Sequence, residues 1–171
     1  MLSTDHYLSL AKSALDRESI SSSSREMGKA IQAIRLVETK IDAKTAALLE
    51  EEVDKLIKVE NEIKEEDINI NSCEVAAAQA LNSLALVHLK YSEELASTGR
   101  QQQATRAIRI GITHLQNAID LTTSIVQKDA EMVVIRELKT LLDSLDKHGH
   151  LDKATYTLSA NDLVKLIGGN Q

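Results

Sequence analysis

A chain of 171 residues with 43% hydrophobic side chains is long and apolar enough to form a packed core, which excludes intrinsic disorder. It contains no Phe, Trp or Pro, so Leu, Ile, Val and Ala must fill that core, and the strongest helix breaker is missing. The net charge of −6 argues against nucleic acid and anionic membranes as partners, because basic residues dominate binding to both. No stretch approaches the roughly 18 apolar residues of a transmembrane helix.

The N-terminal segment and the cysteine content indicate a cytoplasmic protein. The segment lacks the basic stretch followed by an apolar run that defines a secretory signal peptide. Cys73 is the single cysteine and permits no intramolecular disulfide, which fits a reducing compartment. We therefore expect a cytoplasmic location.

Apolar side chains at steps of three and four residues predict three helices in the first half of the chain. Residues 21–24 are four serines and are expected to form a loop, with Ser23 and Glu26 as a capping box for the second helix. Asp42 is expected to cap the third helix, unless the second and third helices are continuous. The expected bounds are about 4–18, 24–41 and 43–66.

The polar segment 67–71 is the clearest break, and Asn71 at its end is expected to cap the fourth helix. Residues 76–89 are apolar on nearly every side, so this helix is expected at the centre of the fold. Gly99 and Gly149 are expected to end the fourth and sixth helices. The expected bounds are about 72–97, 101–126 and 129–147, followed by a short helix after Ser159.

An internal repeat is indicated by a gapless shift of 74 residues, which aligns residues 7–41 with residues 81–115 at 10 identical positions. The pseudo-repeats would span residues 4–66 and 72–147, with a C-terminal tail at 150–171. Small residues on the second helix of each hairpin resemble those of tetratricopeptide repeats. The period differs from the roughly 34 residues of that family, and its Trp, Phe and Pro are absent.

These patterns predict one all-α domain over residues 1–171 with six to seven helices. Short connections favour antiparallel helical hairpins, because consecutive helices joined by a short turn pack side by side. The hairpins are expected to pack as a bundle or as a short tetratricopeptide-like solenoid.

The five histidines are the residues best suited to chemistry at neutral pH. His88 and His114 are expected about one turn out of register across the turn at Gly99. No Glu-x-x-His motif accompanies them, whereas His148 and His150 flank a helix end and are expected to act as cap residues. We therefore expect no metal site and no cofactor.

Residues 109–114, Arg-Ile-Gly-Ile-Thr-His, resemble the Arg-x4-His motif of the all-α HEPN ribonucleases. The resemblance implies an RNA-cleaving site at Arg109 and His114, and an HEPN-like ribonuclease or another small helical enzyme is the alternative function. Ile110 departs from the family's pattern, in which a polar residue follows the arginine. A catalytic pair would converge on one cleft, whereas an accidental match would leave the two side chains diverging.

A polar stripe on the fifth predicted helix is the candidate partner-binding site, and the simpler interpretation is a solvated helix face. An exposed row of arginines suits an acidic peptide, because guanidinium groups pair with carboxylates. The predicted function is therefore a non-enzymatic interaction or scaffold protein, with no catalytic residues. Its expected partner is another protein or a second copy, with no nucleic acid and no membrane. The candidate residues are Arg106, Arg109, Thr113 and Gln116, with Arg35 as the repeat counterpart of Arg109.

Overall fold

The computed structural model describes residues 3–67 and 69–168, apart from the side chain of Lys44. This part of the chain is all-α, as the apolar periodicity predicts, and contains no strand. None of its helices combines the length and hydropathy needed to cross a membrane. The ends of the predicted domain, residues 1–2 and 169–171, lie outside the described residues. The seven described helices are α1 (Thr4–Leu15), α2 (Ile20–Glu38), α3 (Ala43–Lys64), α4 (Ile70–Ser97), α5 (Gln101–Leu121), α6 (Ile125–His148) and α7 (Lys153–Gly168).

The chain divides into two compact units, Met1–Ala80 and Leu81–Gln171. In the first unit, α1 packs on α2 and α2 packs on α3. The hydroxyl of Ser23 donates a hydrogen bond of 2.8 Å to the carbonyl of Ala11, which joins α2 to α1. The fully buried large side chains of this unit come from all three helices, and they are Leu8, Met27, Ile34, Leu49, Leu56 and Ile63.

The four serines at 21–24 lie inside α2 and do not form the predicted loop. The chain reverses one turn earlier, where Glu18 adopts a positive φ of 57°. Ser23 is fully buried, and its hydroxyl is satisfied by α1 rather than by the backbone of its own helix. A serine side chain is small enough to pack between two helices, as an alanine does. The sequence pattern does not distinguish such a buried helical serine from a serine in a loop.

The second unit contains α5, α6, α7 and residues 81–97 of α4. Leu84 is 1% exposed, which confirms the prediction that this segment of α4 is core. Gly111 allows α5 to approach α4 closely, because a Cβ there would lie 3.3 Å from the carbonyl oxygen of Ala85. The large buried side chains of this unit are mainly aliphatic, and the fully buried ones include Leu86, Leu89, Leu95, Ile108, Leu115, Leu138, Leu141 and Leu163.

Two of the predicted helix starts rest on capping side chains. Asp42 accepts a hydrogen bond of 3.0 Å from the backbone N–H of Thr45, so the predicted cap of α3 is confirmed. The predicted cap of α4 is wrong by two residues. The side chain of Asn69 accepts a hydrogen bond of 3.0 Å from the N–H of Asn71, and α4 begins earlier than predicted.

The boundaries of the last two helices also differ from the prediction. Ser124 caps α6 by accepting a hydrogen bond of 3.3 Å from the N–H of Gln127, which ends the predicted 101–126 helix early. Asp152 accepts a hydrogen bond of 2.8 Å from the N–H of Thr155, so α7 begins well before Ser159. At both places a capping side chain sets the boundary in place of the apolar pattern. The pattern alone would extend the fifth helix to residue 126 and would start the last helix only after Ser159.

Gly99 and Gly149 end α4 and α6, as predicted. Their φ angles are 77° and 74°, a left-handed conformation that favours glycine. The N–H of Gly149 donates a hydrogen bond of 2.9 Å to the carbonyl of Leu145, which satisfies one of the last carbonyls of α6.

The 74-residue repeat is not confirmed by the helix boundaries. The shift carries residues 16–19, between α1 and α2, onto residues 90–93, which lie inside α4. Conversely, the turn at residues 98–100 falls onto residues 24–26, which lie inside α2. The shift therefore aligns a turn with the interior of a helix. Identities of this kind are expected by chance between helices rich in Ala and Leu.

Candidate functional site

The polar stripe of α5 consists of Arg106, Arg109, Thr113 and Gln116, and all four residues are exposed. We refer to these four residues as the α5 stripe. Steps of three and four residues keep them on one side of the helix. The opposite side of α5 faces the core of the second unit, and its buried residues include Ala104, Ala107, Ile108, Leu115 and Ala118.

The two arginines of the α5 stripe lack an acidic partner. Neither Arg106 nor Arg109 has a carboxylate oxygen within 4.0 Å among residues 3–67 and 69–168. Lys12, Lys55 and Lys64 show the contrast, because each of them pairs with at least one carboxylate. Two unpaired guanidinium groups one helical turn apart can bind carboxylates from outside the chain.

An exposed apolar residue adjoins the α5 stripe. Ile110 lies directly after Arg109 and is 43% exposed, although it is a large aliphatic residue. The hydroxyl of Thr113 donates a hydrogen bond of 3.1 Å to the carbonyl of Arg109, so it is not a free donor. Gln116 extends the polar row by one further turn. A ligand along the stripe would meet charge at one end and neutral polar groups at the other.

Arg35, the remaining predicted site residue, lies on α2 in the first unit and is exposed. Its guanidinium interacts electrostatically with the carboxyl of Glu38, three residues along the same helix. The pKa of the Glu38 carboxyl is raised above its ordinary value, mainly because burial disfavours its charge, and the Arg35 guanidinium partly opposes that shift. Arg35 therefore has an acidic neighbour in its own helix, unlike the arginines of the α5 stripe.

The rings of His88 and His114 stack, with their centroids 5.3 Å apart and their planes at 28°. The expected offset of about one turn along the helices does not keep the two rings apart, because position 111, one turn before His114, is the one that lies against His88. Gly111 brings α5 so close to α4 that a Cβ there would lie 3.7 Å from the Cβ of His88. Two imidazole rings can span the remaining offset at this short distance. In the described part of the chain, no group of three His, Cys, Asp or Glu residues is arranged to hold a metal ion.

Arg109 and His114 do not converge on one cleft. His114 is 7% exposed and stacks on α4, whereas Arg109 is exposed to solvent. Five residues along an α-helix correspond to a rotation of about 140°, so the two side chains point in different directions. This divergence is the arrangement expected for an accidental match to the HEPN motif.

The second unit contains a buried polar cluster that no sequence pattern predicts. Asn82 and Glu131 are both 0% exposed, and the amide of Asn82 donates a hydrogen bond of 3.0 Å to Oε1 of Glu131. Gln127 donates to the same oxygen at 3.1 Å. Burial raises the pKa of the Glu131 carboxyl, while the hydrogen bonds from Asn82 and Gln127 oppose that shift. Oε2 of Glu131 and Oδ1 of Asn82 are left without a partner.

A surface pocket of about 290 Å³ in the second unit collects several titratable side chains. Glu93 on α4, His150 and Lys153 line it together with Tyr156 on α7. Tyr156 donates a hydrogen bond to Glu93, and burial together with this carboxylate raises the pKa of its phenol. The phenol therefore stays protonated at neutral pH and serves as a hydrogen-bond donor that attaches α7 to α4.

No protein-family model, curated protein or solved structure matches the chain. The stripe and the buried cluster are therefore the features from which a function can be inferred. The buried cluster is closed to solvent, whereas the α5 stripe is open to a partner.

Proposed function

We propose that the protein is a non-enzymatic helical interaction or scaffold protein that binds an acidic segment of another protein through the α5 stripe. The observation that carries this proposal is the pair Arg106 and Arg109. They are exposed one turn apart on a well-packed helix, and neither pairs with a carboxylate in the part of the chain that the structure describes, although the sequence has 26 acidic residues. A cytoplasmic location is part of the proposal, and the single, buried cysteine is compatible with it.

The chemistry of arginine explains why the partner is expected to be acidic. A guanidinium group is planar and can donate two parallel hydrogen bonds to one carboxylate, which gives both direction and strength. Cβ atoms three residues apart on a helix lie about 5–6 Å from each other. Two carboxylates on successive turns of a partner helix have the same spacing and can pair with Arg106 and Arg109.

The length of the stripe sets the size of the bound segment. From Arg106 to Gln116 the helix rises by about 15 Å, which corresponds to about three turns of a partner helix. Ile110 supplies apolar area beside the charges, and Gln116 supplies neutral hydrogen-bonding groups at the far end. Because the whole chain is negative, long-range attraction to an acidic partner is weak, so these short-range contacts have to provide the affinity.

The experiment that tests the proposal compares three forms of the protein as baits in extracts of the source cells. The first is the wild type, and the second carries Arg106→Glu and Arg109→Glu. The matched control carries Lys147→Glu and Lys153→Glu, which change the net charge equally at exposed positions of the same unit. We expect partners that the wild type and the control retain and that the stripe variant loses.

Two results would contradict the proposal. Retention of the same partners by the stripe variant would show that the arginines are solvated and not used for binding. Equal loss from the stripe variant and from the control would show a general effect of charge. Circular dichroism of all three forms establishes that each is folded.

A further inference from the structure

The side of α6 that faces solvent is apolar in its N-terminal half. Ile125 and Val126 are 76% and 67% exposed, and Met132 and Val133 are 41% and 43% exposed. The opposite side of the same helix is buried in the second unit through residues such as Leu138. Helix α6 therefore has apolar residues on both sides, and the described chain covers only one of these sides.

Two opposite charges lie on this exposed face. Asp129 precedes Met132 by three residues, and Arg136 follows Val133 by three residues. Both charged residues are exposed, and neither has an ion pair within the described part of the chain. The two charges are therefore placed symmetrically about the midpoint between Met132 and Val133.

This symmetry has a specific geometric consequence. If two α6 helices cross antiparallel with a two-fold axis at that midpoint, Asp129 of each copy lies opposite Arg136 of the partner subunit. Met132 then lies opposite Val133 of the partner subunit, so the apolar residues meet at the centre. A parallel pairing would instead place Asp129 opposite its own copy, and like charges at such a contact are unfavourable.

We propose that the protein self-associates through this face of α6, as an antiparallel, two-fold symmetric pair. An isologous contact of this kind needs one self-complementary surface, which the symmetric placement of Asp129 and Arg136 supplies. The proposal is separate from the binding of an acidic partner, because the residues of the α5 stripe take no part in it.

The size of the face predicts a weak, reversible dimer. Residues 125–140 span about 24 Å of helix, and a contact of one helix per copy stays below the roughly 1,200 Å² of standard interfaces. We therefore expect a dissociation constant on the order of 100 μM, within the weak, transient class. The dimer should form at high local concentration and dissociate on dilution.

Sedimentation velocity on the full chain tests the association directly. We expect the average mass to rise from one chain at about 1 μM towards two chains at about 1 mM, because the expected dissociation constant lies between these limits. Met132→Glu should abolish this rise while circular dichroism shows an unchanged helix content, since the residue is partly exposed. A monomer over the whole range would overturn the proposal.

Charge exchange tests the antiparallel geometry. Asp129→Arg and Arg136→Asp should each weaken self-association at least about tenfold, because each variant places like charges opposite each other. A mixture of the two single variants should associate again, since every contact in the mixed dimer joins opposite charges. Arg106→Glu with Arg109→Glu should leave the dissociation constant unchanged. Single variants that associate as the wild type does, or a mixture that stays monomeric, would overturn the antiparallel pair.

Discussion

Replacing Glu131 with glutamine should stabilise the protein, although the change removes a charged, hydrogen-bonded side chain. Glu131 is fully buried, its Oε1 accepts from Asn82 and Gln127, and its Oε2 has no partner. Oδ1 of Asn82 is an unsatisfied acceptor in the same cluster. The amide of a glutamine at position 131 can accept at one atom and donate at the other. It can therefore satisfy Asn82 without a buried charge.

The size of the effect depends on pH. Burial raises the pKa of Glu131 in the folded protein above its ordinary value of 4.5. The folded state therefore binds the proton more tightly than the unfolded state. The stabilising contribution of the protonated acid is complete below pH 4.5 and is lost as the pH rises through the raised pKa. At about pH 8, Glu131→Gln should raise the free energy of unfolding by about 1–3 kcal/mol, which is the cost of an unsatisfied buried polar group. Near pH 4.5 the substitution should change the free energy of unfolding little.

Urea unfolding followed by circular dichroism at several pH values measures this difference. Asp146→Asn is the matched control, because Asp146 is exposed on the same helix and its neutralisation should change stability by less than about 0.5 kcal/mol. A Glu131→Gln variant that is less stable than the wild type near pH 8 would refute the reasoning. It would mean that the charge itself is stabilised by its surroundings. An equal effect at every pH would refute the linkage to proton binding.

Three further predictions concern packing, backbone conformation and thiol reactivity. Leu84→Ala should cost about 2–5 kcal/mol in a denaturant melt because the site is closed on all sides, whereas Leu158→Ala, at a half-exposed site, should cost less than about 0.5 kcal/mol. Gly149→Ala should cost more than about 1 kcal/mol in the same melt, because φ is 74° and the new Cβ would lie 2.7 Å from Nε2 of Gln101. Cys73 should resist iodoacetamide near pH 8 until urea unfolds the chain, since burial raises the pKa of its thiol to about 11; rapid labelling of the folded protein would contradict this.

Helix content and core membership follow from the sequence because they depend on local periodicity. The absence of proline and the steps of three and four residues predict α1 to α6 in order, and Leu84 is buried as expected. Gly99 and Gly149 end helices as predicted, since a left-handed residue at that position favours glycine. Local chemistry decides each of these features.

The error at Ser23 and the unpredicted stacking of His88 on His114 arise from long-range packing, whereas the errors at the starts of α4, α6 and α7 come from local capping side chains. Ser23 was predicted to cap a helix, but its hydroxyl is bonded to Ala11 on another helix, a contact that no sequence pattern reveals. The stacking of His88 on His114 depends on the close approach that Gly111 allows, and the apolar pattern does not contain that distance. The predicted stripe residues of α5 do lie on one exposed side, because helix periodicity alone places them there.

Site-specific photo-crosslinking in the source cells tests the proposed function most directly. A photoreactive residue at Thr113 lies within the α5 stripe, and one at Thr157, which is exposed on α7, serves as the control. We expect a covalent adduct with a protein partner from position 113 and none from position 157, and Arg106→Glu with Arg109→Glu should abolish the adduct. Adducts from position 157 alone, or an adduct at position 113 that persists in the arginine variant, would contradict binding through the α5 stripe.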